Sequence, residues 1–445
     1  MKDIIQKLGK YTTTKSPIAV LICVYCAIIF LGFFLLSLPF SQKVSTAAID
    51  HLFIASSAVS TTGLTSVSVA DNYNFFGQFI ILLLIQLGGI HYMSFGSLVI
   101  LASRRKLNKF HKDLVKSDFG LPDDFDIFSF IRSVIFFSLA VELLGAVLLY
   151  VTFLKHQVAN PLWNAIFHSI SAFCTAGFSL FNSSFEAFAD DPMLNCVIIA
   201  LSCLGAMGFI VVTDYWQVFR RQKKSVTLTT KIIVGFTVFL ILLGTVLLLL
   251  THSFSDSGGW AENILLSLFQ AVTALTTVGF NTYPIAQMSH SALFLIVILM
   301  IMGSSPAGTG GGIKSTTIVA VVAQTFHTLR GKVNVTFWGY QIPSYRLRIA
   351  SASFTFYIFV LVTGIYLLNL VETHAVFEVI FEAASALGTV GLSMGITSVL
   401  TVWGKIIVIC LMVMGRIGPL TIGLALFSNK TEPDNIGWYE DVVVG

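Results

Sequence analysis

Four short segments of the chain share one pattern, which centres on a glycine. The glycines are Gly63, Gly177, Gly279 and Gly391, at nearly even intervals. Each has a phenylalanine ten residues before it, Ser or Thr six before, an alanine five before and a threonine two before. A Leu or Phe follows each glycine. Six columns shared by four segments indicate an internal repeat, which is the main fact about the organisation of this chain.

The centre of each segment has a chemistry suited to binding a cation through the backbone. The central residues are Thr61, Thr62, Gly63 and Leu64; Thr175, Ala176, Gly177 and Phe178; Thr277, Val278, Gly279 and Phe280; and Thr389, Val390, Gly391 and Leu392. Glycine adopts backbone angles that a residue with a Cβ resists, so carbonyl oxygens can turn toward one axis. Rings of carbonyls replace the hydration shell of potassium in channel filters. We therefore predict a selectivity filter with potassium at the carbonyls of the four glycines.

The pattern differs from a potassium-channel filter at one column. The third and fourth segments read T-V-G, as in the T-V-G-Y-G filter, but the second glycine is replaced in all four segments. Its position holds Thr65, Ser179, Asn281 and Ser393. We expect one well-formed carbonyl site, at the glycine level. A single turn of this kind would suit a glycine-terminated helix in an ordinary bundle, whereas four in register favour a filter.

The composition requires a membrane around the elements that position these turns. Of 445 residues, 56% are hydrophobic and 11% are charged, against about 25% charged residues in soluble domains. Apolar runs long enough to cross a bilayer lie near 18–40, 76–102, 128–153, 193–219, 230–252, 290–330, 349–371 and 402–427. Lys and Arg concentrate before the first run and in the loops 104–116, 220–231 and 330–348. The positive-inside rule then places both termini in the cytoplasm.

A short helix should precede each glycine, between two spans. Asp50, Asn164, Glu262 with Asn263, and Glu378 stand at the predicted outer ends, where the positive end of a helix dipole favours them. The fold class is therefore an all-α integral membrane protein with four tandem span–pore helix–span repeats, eight spans and a pseudo-fourfold, potassium-channel-like pore. The predicted repeats are 1–115, 116–225, 226–335 and 336–445.

The sixth span is interrupted by a glycine-rich segment, 303–312. Five glycines and Pro306 in ten residues prevent a stable helix, and irregular backbone at membrane depth must line a cavity or be buried in protein. The segment should lie under the filter of its own repeat. It does not match the phosphate-binding loop, because Ile313 separates Gly312 from Lys314. A dinucleotide-binding motif that starts at Gly308 fails at the same isoleucine.

These features together resemble the Trk/Ktr/HKT potassium transporters, and most closely the bacterial Ktr-type (KtrB-like) membrane subunit. The resemblance implies a homodimer in the bacterial cell membrane, with a KtrA-like cytoplasmic ring of nucleotide-binding regulatory subunits. It implies potassium uptake, with sodium dependence left open, and nucleotide bound only through that partner. It also makes the segment an intramembrane gating loop. The loop residues are Gly303, Ser304, Ser305, Pro306, Ala307, Gly308, Thr309, Gly310, Gly311, Gly312 and Lys314.

The roles of two charged residues and three histidines are interpreted separately. Arg416 in the eighth span is costly in lipid, and its donors suit the carbonyls of the glycine loop; the alternative is that it reaches an interface. Glu142 in the third span has either a cation or polar side chains as partners. The remaining candidates, His51, His91 and His168, are interpreted as hydrogen-bonded structural residues.

Potassium translocation without covalent chemistry is thus the leading hypothesis. An alternating-access carrier is the alternative, although repeats of one topology disfavour the inverted repeats of such carriers. A membrane enzyme would need paired catalytic groups at one depth, and the sequence shows none, so we predict no enzyme, no catalytic residues and no covalent cofactor. No basic stripe with aromatic residues indicates a nucleic-acid partner. The potassium-to-sodium preference is not determined by these patterns.

Overall fold

The computed structural model describes residues 17–89, 127–251, 253, 259–332, 334–419 and 421–423. Several predictions fall outside these residues. They concern the N-terminal segment, His91, the basic loop 104–116, the second half of the span near 76–102 and the C-terminal tail.

The described residues form helices in an order that repeats through the chain. The helices are α1 (Pro17–Ser37), α2 (Ala48–Val59), α3 (Val69–Asn72), α4 (Phe75–Gly89), α5 (Ile127–Lys155), α6 (Pro161–Phe173), α7 (Pro192–Ala206), α8 (Phe209–Phe219), α9 (Leu228–Leu250), α10 (Trp260–Thr276), α11 (His290–Ile301), α12 (Ser315–Leu329), α13 (Ser344–Val371), α14 (Val376–Gly388) and α15 (Val402–Ile417). Each quarter contains a long helix (α1, α5, α9 or α13), a shorter helix (α2, α6, α10 or α14), a turn, and then a further helix.

The four shorter helices begin close to the polar residues of the pattern and end three or four residues before each glycine. Asp50, Glu262 and Glu378 lie in the first turns of α2, α10 and α14. Asn164 lies in α6, and its side-chain amide donates to the carbonyl of Ala159 at 2.8 Å. Each helix ends within a few residues of its glycine. The negative ends of the four helix dipoles therefore point at the glycine turns.

The helices that follow the glycine turns differ more among the four quarters than the long first helices do. In the third quarter, the predicted break separates α11 from α12. In the second quarter, α7 and α8 meet at 90°, a bend that the sequence analysis missed. The bend occurs at Gly208, whose φ is +86°. A Cβ there would lie 2.5 Å from the carbonyl oxygen of Pro306, so the bend brings this quarter against the glycine-rich segment.

Among the described residues, three helical segments are individually long and apolar enough to cross a membrane. They are Arg132–Lys155, Leu228–Leu250 and Ser344–Val371, and α7 with α8 gives a fourth if the bent pair is one span. The count of eight spans therefore stays a prediction. The all-α prediction needs one small correction, because β1 (Thr336–Phe337) pairs antiparallel with β2 (Tyr340–Gln341) in a short hairpin.

The buried apolar residues form two large clusters that meet at the glycine turns. One cluster is built mainly from the first two quarters, yet it includes Phe269, Val278 and Phe280 of the third. The other is built mainly from the last two quarters, yet it includes Phe53 and Leu64 of the first. The residues around the turns thus pack against neighbouring quarters, which fixes the turns relative to one another.

Candidate functional site

Each of the four turns uses the same backbone conformation. The threonine two residues before each glycine is in the left-handed region, with φ between +49° and +59°, which is rare for a β-branched residue. The next residue then donates its N–H to the carbonyl five residues back, at 2.8–3.1 Å. These bonds are Thr62 to Ser57, Ala176 to Ser171, Val278 to Thr273 and Val390 to Ser385. The sequence pattern gave no signal for the left-handed threonine.

The four glycines form a closed ring, called the glycine ring below. Every one has a positive φ, between +64° and +97°, and each lies against the backbone of the next segment. A Cβ added to any glycine would lie far inside van der Waals distance of a carbonyl oxygen. The distances are 2.5 Å from Gly63 to Ala176, 2.3 Å from Gly177 to Val278, 2.0 Å from Gly279 to Val390, and 2.3 Å from Gly391 to Thr62. The last contact returns to the first segment, so the order around the ring follows the chain.

The hydroxyl six residues before each glycine is used in two ways. Ser57 and Ser385 accept the N–H of Gly63 and Gly391, both at 3.1 Å. In the other two segments the hydroxyl donates to the carbonyl of the residue after the glycine. These bonds join Ser171 to Phe178 at 2.8 Å and Thr273 to Phe280 at 2.7 Å. The ring therefore has fourfold backbone geometry but two kinds of support.

The glycine-rich segment 303–312, called the glycine loop below, lies directly beneath the four threonines. The hydroxyl of Thr61 donates to the carbonyl of Thr309 at 3.4 Å, and that of Thr175 donates to the hydroxyl of Thr309 at 3.2 Å. The hydroxyl of Thr277 accepts the N–H of Gly311 at 3.0 Å. A Cβ on Gly311 would lie 2.1 Å from Thr389 Oγ1. The loop thus meets all four quarters on the threonine side of the ring.

Neighbouring backbone holds the glycine loop in place. The amides of Ser305 and Thr309 donate to the carbonyls of Ala206 and Gly205, at 3.1 and 3.0 Å. Sequence reasoning missed Gly205, where a Cβ would lie 1.9 Å from Phe173 O and 2.7 Å from Thr309 Oγ1. The sequence offered one indication of this contact, namely a second glycine close to the bend between α7 and α8.

Two cationic side chains donate to the same loop. Lys314 Nζ lies 2.7 Å from the carbonyl oxygen of Gly310. The Arg416 guanidinium donates to the carbonyls of Thr309 and Gly88, with Gly89 O at 3.4 Å. Arg416 therefore connects α15, the loop and the end of α4. Its several N–H donors allow one side chain to serve all three.

Glu142, His51 and Asp50 are also buried, and each has a protein partner. Glu142 has polar partners, because both carboxylate oxygens accept from the Gln86 amide at 3.0 and 2.8 Å. His51 Nδ1 lies 2.8 Å from the Tyr73 hydroxyl, in keeping with a structural histidine. Sequence reasoning missed the ion pair between Asp50 and Lys405, 2.6 Å apart. It joins α2 to α15, whose sequence separation hides the contact.

The chain resembles known cation transport proteins in sequence. The TrkH family, described as cation transport proteins, matches residues 13–436. The chain is 33% identical to the "Ktr system potassium uptake protein B" of Bacillus subtilis, over 98% of this chain and 97% of that protein. It is 32% identical to the "Potassium/sodium uptake protein NtpJ" of Enterococcus hirae, over 97% of each chain.

A solved structure shows the same fold. The crystal structure of the potassium transporter TrkH from Vibrio parahaemolyticus matches with a TM-score of 0.74, covering 93% of this chain and 86% of that one. Sequence identity is 20%, so this match concerns the fold alone.

Proposed function

The chain belongs to the TrkH family of cation transport proteins, and we propose that it moves potassium ions across the cell membrane through the glycine ring. The closed ring carries this proposal, because four backbone turns from four quarters of the chain meet at one place. The four positive φ values are the conformation that lets glycine carbonyls face a common axis. Backbone oxygens of this kind are the ligands that replace water around potassium.

The electrostatics of the ring favour a cation over an anion. The helices α2, α6, α10 and α14 end close to the ring, so the partial negative charges of four helix ends lie near it. The named relatives transport potassium, or potassium and sodium. Sodium is therefore the second ion to test, as a competitor or as a coupling ion.

The glycine loop is the gate in this proposal. It touches all four threonines, so an ion that leaves the ring on that side must displace the loop. Arg416 and Lys314 add positive charge beside it. A positive charge opposes the passage of a cation more strongly as the local dielectric falls. The closed loop is thus a steric and an electrostatic barrier together.

The surrounding assembly is part of the same proposal. We place four span–pore helix–span repeats across the membrane, with eight spans and both termini in the cytoplasm. The protein would form a homodimer and bind a cytoplasmic ring of nucleotide-binding, KtrA-like subunits. The support is the name of the Bacillus subtilis relative, which belongs to a "Ktr system". Regulation of the gate would then reach the loop through the helices that border it.

Ion flux into liposomes tests the function. Purified protein in potassium-free vesicles should take up potassium and rubidium faster than sodium, and protein-free vesicles set the background. Channel-like transport predicts a flux that follows an imposed membrane potential without a coupling ion. A strict requirement for an opposing substrate gradient would favour the alternating-access carrier. Absence of cation flux from folded, inserted protein, with and without loop deletion, would contradict the proposal.

A further inference from the structure

One position of the shorter helices holds a different residue type in each of the four segments, and three of the four are polar. Nine residues before each glycine stand Ile54, His168, Gln270 and Glu382, and all four are fully buried. A histidine, an amide and a carboxylate in such a position need partners, because burial without hydrogen bonds is costly. The histidine and the carboxylate have partners in the column two residues after the glycine, which holds Thr65, Ser179, Asn281 and Ser393.

Glu382 binds the segment that follows Gly391. The hydroxyl of Ser393 donates to Glu382 Oε2 at 2.9 Å, and the hydroxyl of Thr397 donates to Glu382 Oε1. Ser393 Oγ also accepts the N–H of Gly395 at 3.0 Å. The carboxylate therefore ties the outgoing backbone of the fourth segment to the helix α14 behind it.

His168 has the same relation to the segment that follows Gly177. Its Nδ1 lies 2.8 Å from the carbonyl of Asn164, and its Nε2 lies 3.3 Å from the N–H of Leu180. A carbonyl only accepts and an amide N–H only donates, so Nδ1 carries the proton and Nε2 accepts. The hydroxyl of Ser179, 3.0 Å from Nε2, must then donate to it.

The two serines are held in the same way. Ser179 Oγ accepts the N–H of Phe181 at 2.9 Å, two residues further on, just as Ser393 accepts from Gly395. A histidine and a glutamate thus make equivalent bonds in the second and fourth segments. Because neighbours around the ring follow chain order, these two segments lie at opposite corners.

The other two corners lack this support. Ile54 has no polar atom to offer Thr65. Both amide atoms of Gln270 have no hydrogen-bond partner among the described residues. Asn281 instead donates to Glu186 at 2.7 Å and to the carbonyl of Tyr283 at 3.1 Å. Among the described residues, a hydrogen bond between these two columns therefore occurs along one diagonal of the ring only.

We propose that His168 and Glu382 are positioning residues that set the preference of the glycine ring for potassium over sodium. This inference rests on the proposed function. Neither side chain contacts the ion; each holds a serine just past the glycine. A smaller ion requires the oxygens to move inward, and outgoing segments tied at two opposite corners resist that contraction. Removing the ties should admit sodium while leaving the glycine turns themselves intact.

The test compares variants at matched positions in liposomes, with initial potassium and sodium uptake measured on the same preparation. Ser393→Ala removes one tie and leaves the carboxylate in place, and Ser179→Ala does the same at the opposite corner. Loss of one hydrogen bond at either corner should lower the potassium-to-sodium ratio by about fivefold. Glu382→Gln should lower the potassium-to-sodium ratio less than Glu382→Ala does. Ser393→Thr should keep the wild-type ratio, since threonine keeps a hydroxyl.

Gln270→Leu is the matched control. It changes the same column at the same burial but removes no hydrogen bond among the described residues, so the ratio should stay at the wild-type value. The two serine variants keep the proposal testable if the Glu382 variants fail to insert. Wild-type ratios in both, or an equal loss in Gln270→Leu, would overturn it. If the wild-type protein shows no potassium flux, the proposed function itself is wrong.

Discussion

The glycine ring and the glycine loop lie against each other, yet different kinds of contact hold them in place. The ring repeats one device four times: a left-handed threonine, an amide bonded to the carbonyl five residues back, and a glycine against the next segment. The loop makes a different contact with each quarter, through a carbonyl, a hydroxyl, an amide and the bare Cα of Gly311. Repetition suits a symmetric site, whereas a loop that occurs once and meets four quarters has unequal contacts.

Glycine itself serves the two regions differently. In the ring, every glycine combines a positive φ with close packing, so both strain and collision oppose a side chain. Among the loop glycines, only Gly312 has a positive φ, of +71°. Gly303 and Gly311 are needed because backbone passes within reach of a Cβ. Substitutions should therefore damage the ring more than the loop.

The largest expected effect is from Gly279→Ala. Its Cβ would lie 2.0 Å from Val390 O, the tightest of the four approaches, whereas the Cβ of Gly63→Ala would lie 2.5 Å from Ala176 O. Both variants add backbone strain of about 1–2 kcal/mol, because a residue with a Cβ resists the left-handed region. We expect Gly279→Ala to lower potassium selectivity by more than about tenfold and Gly63→Ala to lower it less. Uptake of potassium, rubidium and sodium by inserted protein measures this order.

Gly339→Ala separates strain from collision. Gly339 has a φ of +80° but no atom within 4 Å of an added Cβ, and it lies in the turn of the small hairpin. It should carry the same backbone strain without altering ion selectivity. Equal selectivity in wild type and all ring variants would contradict the carbonyl-ring mechanism.

The same contrast explains what the sequence could predict. The four glycine turns could be predicted from the sequence because their columns recur four times. The break in the sixth span could also be predicted, since residues 303–312 cannot form a helix. The contact partners of the loop were not accessible. Gly205 and the bend at Gly208 support it from another quarter, and Asp50 meets Lys405 across most of the chain. Single contacts between distant segments leave no period in a sequence.

The left-handed threonines show a different limit. Threonine ordinarily avoids this region, so residue type argues against the conformation that Thr61, Thr175, Thr277 and Thr389 all adopt. Packing of the ring and the hydroxyl contacts with the loop outweigh the local preference. Conformations imposed by tertiary structure in this way cannot be derived from local propensity.

A second, smaller effect should come from releasing the loop. Arg416→Ser removes the donors to Thr309 and Gly88 and a positive charge beneath the ring. We expect potassium flux to rise by about tenfold, because the barrier to a cation includes that charge. Selectivity should change little, since the ring is untouched. Tracer flux into liposomes, with and without the proposed KtrA-like ring, measures both quantities.

Deletion of several residues within 303–312 should act in the same direction as Arg416→Ser. Arg416→Lys tests the contribution of geometry, because lysine keeps the charge but cannot bridge Thr309 and Gly88 as a planar fork. Its flux should fall between those of wild type and Arg416→Ser. Loss of flux from inserted deletion variants would make the loop part of the conducting path or a brace, and the gate assignment would fail.

The smallest expected effect is from Thr309→Val, which removes one hydroxyl from the loop. That hydroxyl donates to Phe173 O at 3.1 Å and accepts from Thr175 at 3.2 Å. The carbonyl of Thr309, which accepts from Thr61 and Arg416, is unchanged by the substitution. The closed loop should therefore lose about 1 kcal/mol, and flux should rise a few-fold without a change in selectivity.

Thr325→Val is the control for this last variant, because Thr325 is exposed on α12 and its hydroxyl donates only to the carbonyl of Val321 among the described residues, at 2.9 Å. The direction of the change at Thr309 distinguishes two roles for the loop. If the hydroxyl only stabilises the closed loop, its removal raises flux. If the hydroxyl replaces water around an ion as it leaves the ring, the valine instead lowers flux while Arg416→Ser still raises it. A loop that both blocks the ring and solvates the departing ion would then be more than a gate, and the unequal contacts of the loop would have a role in conduction as well as in closure.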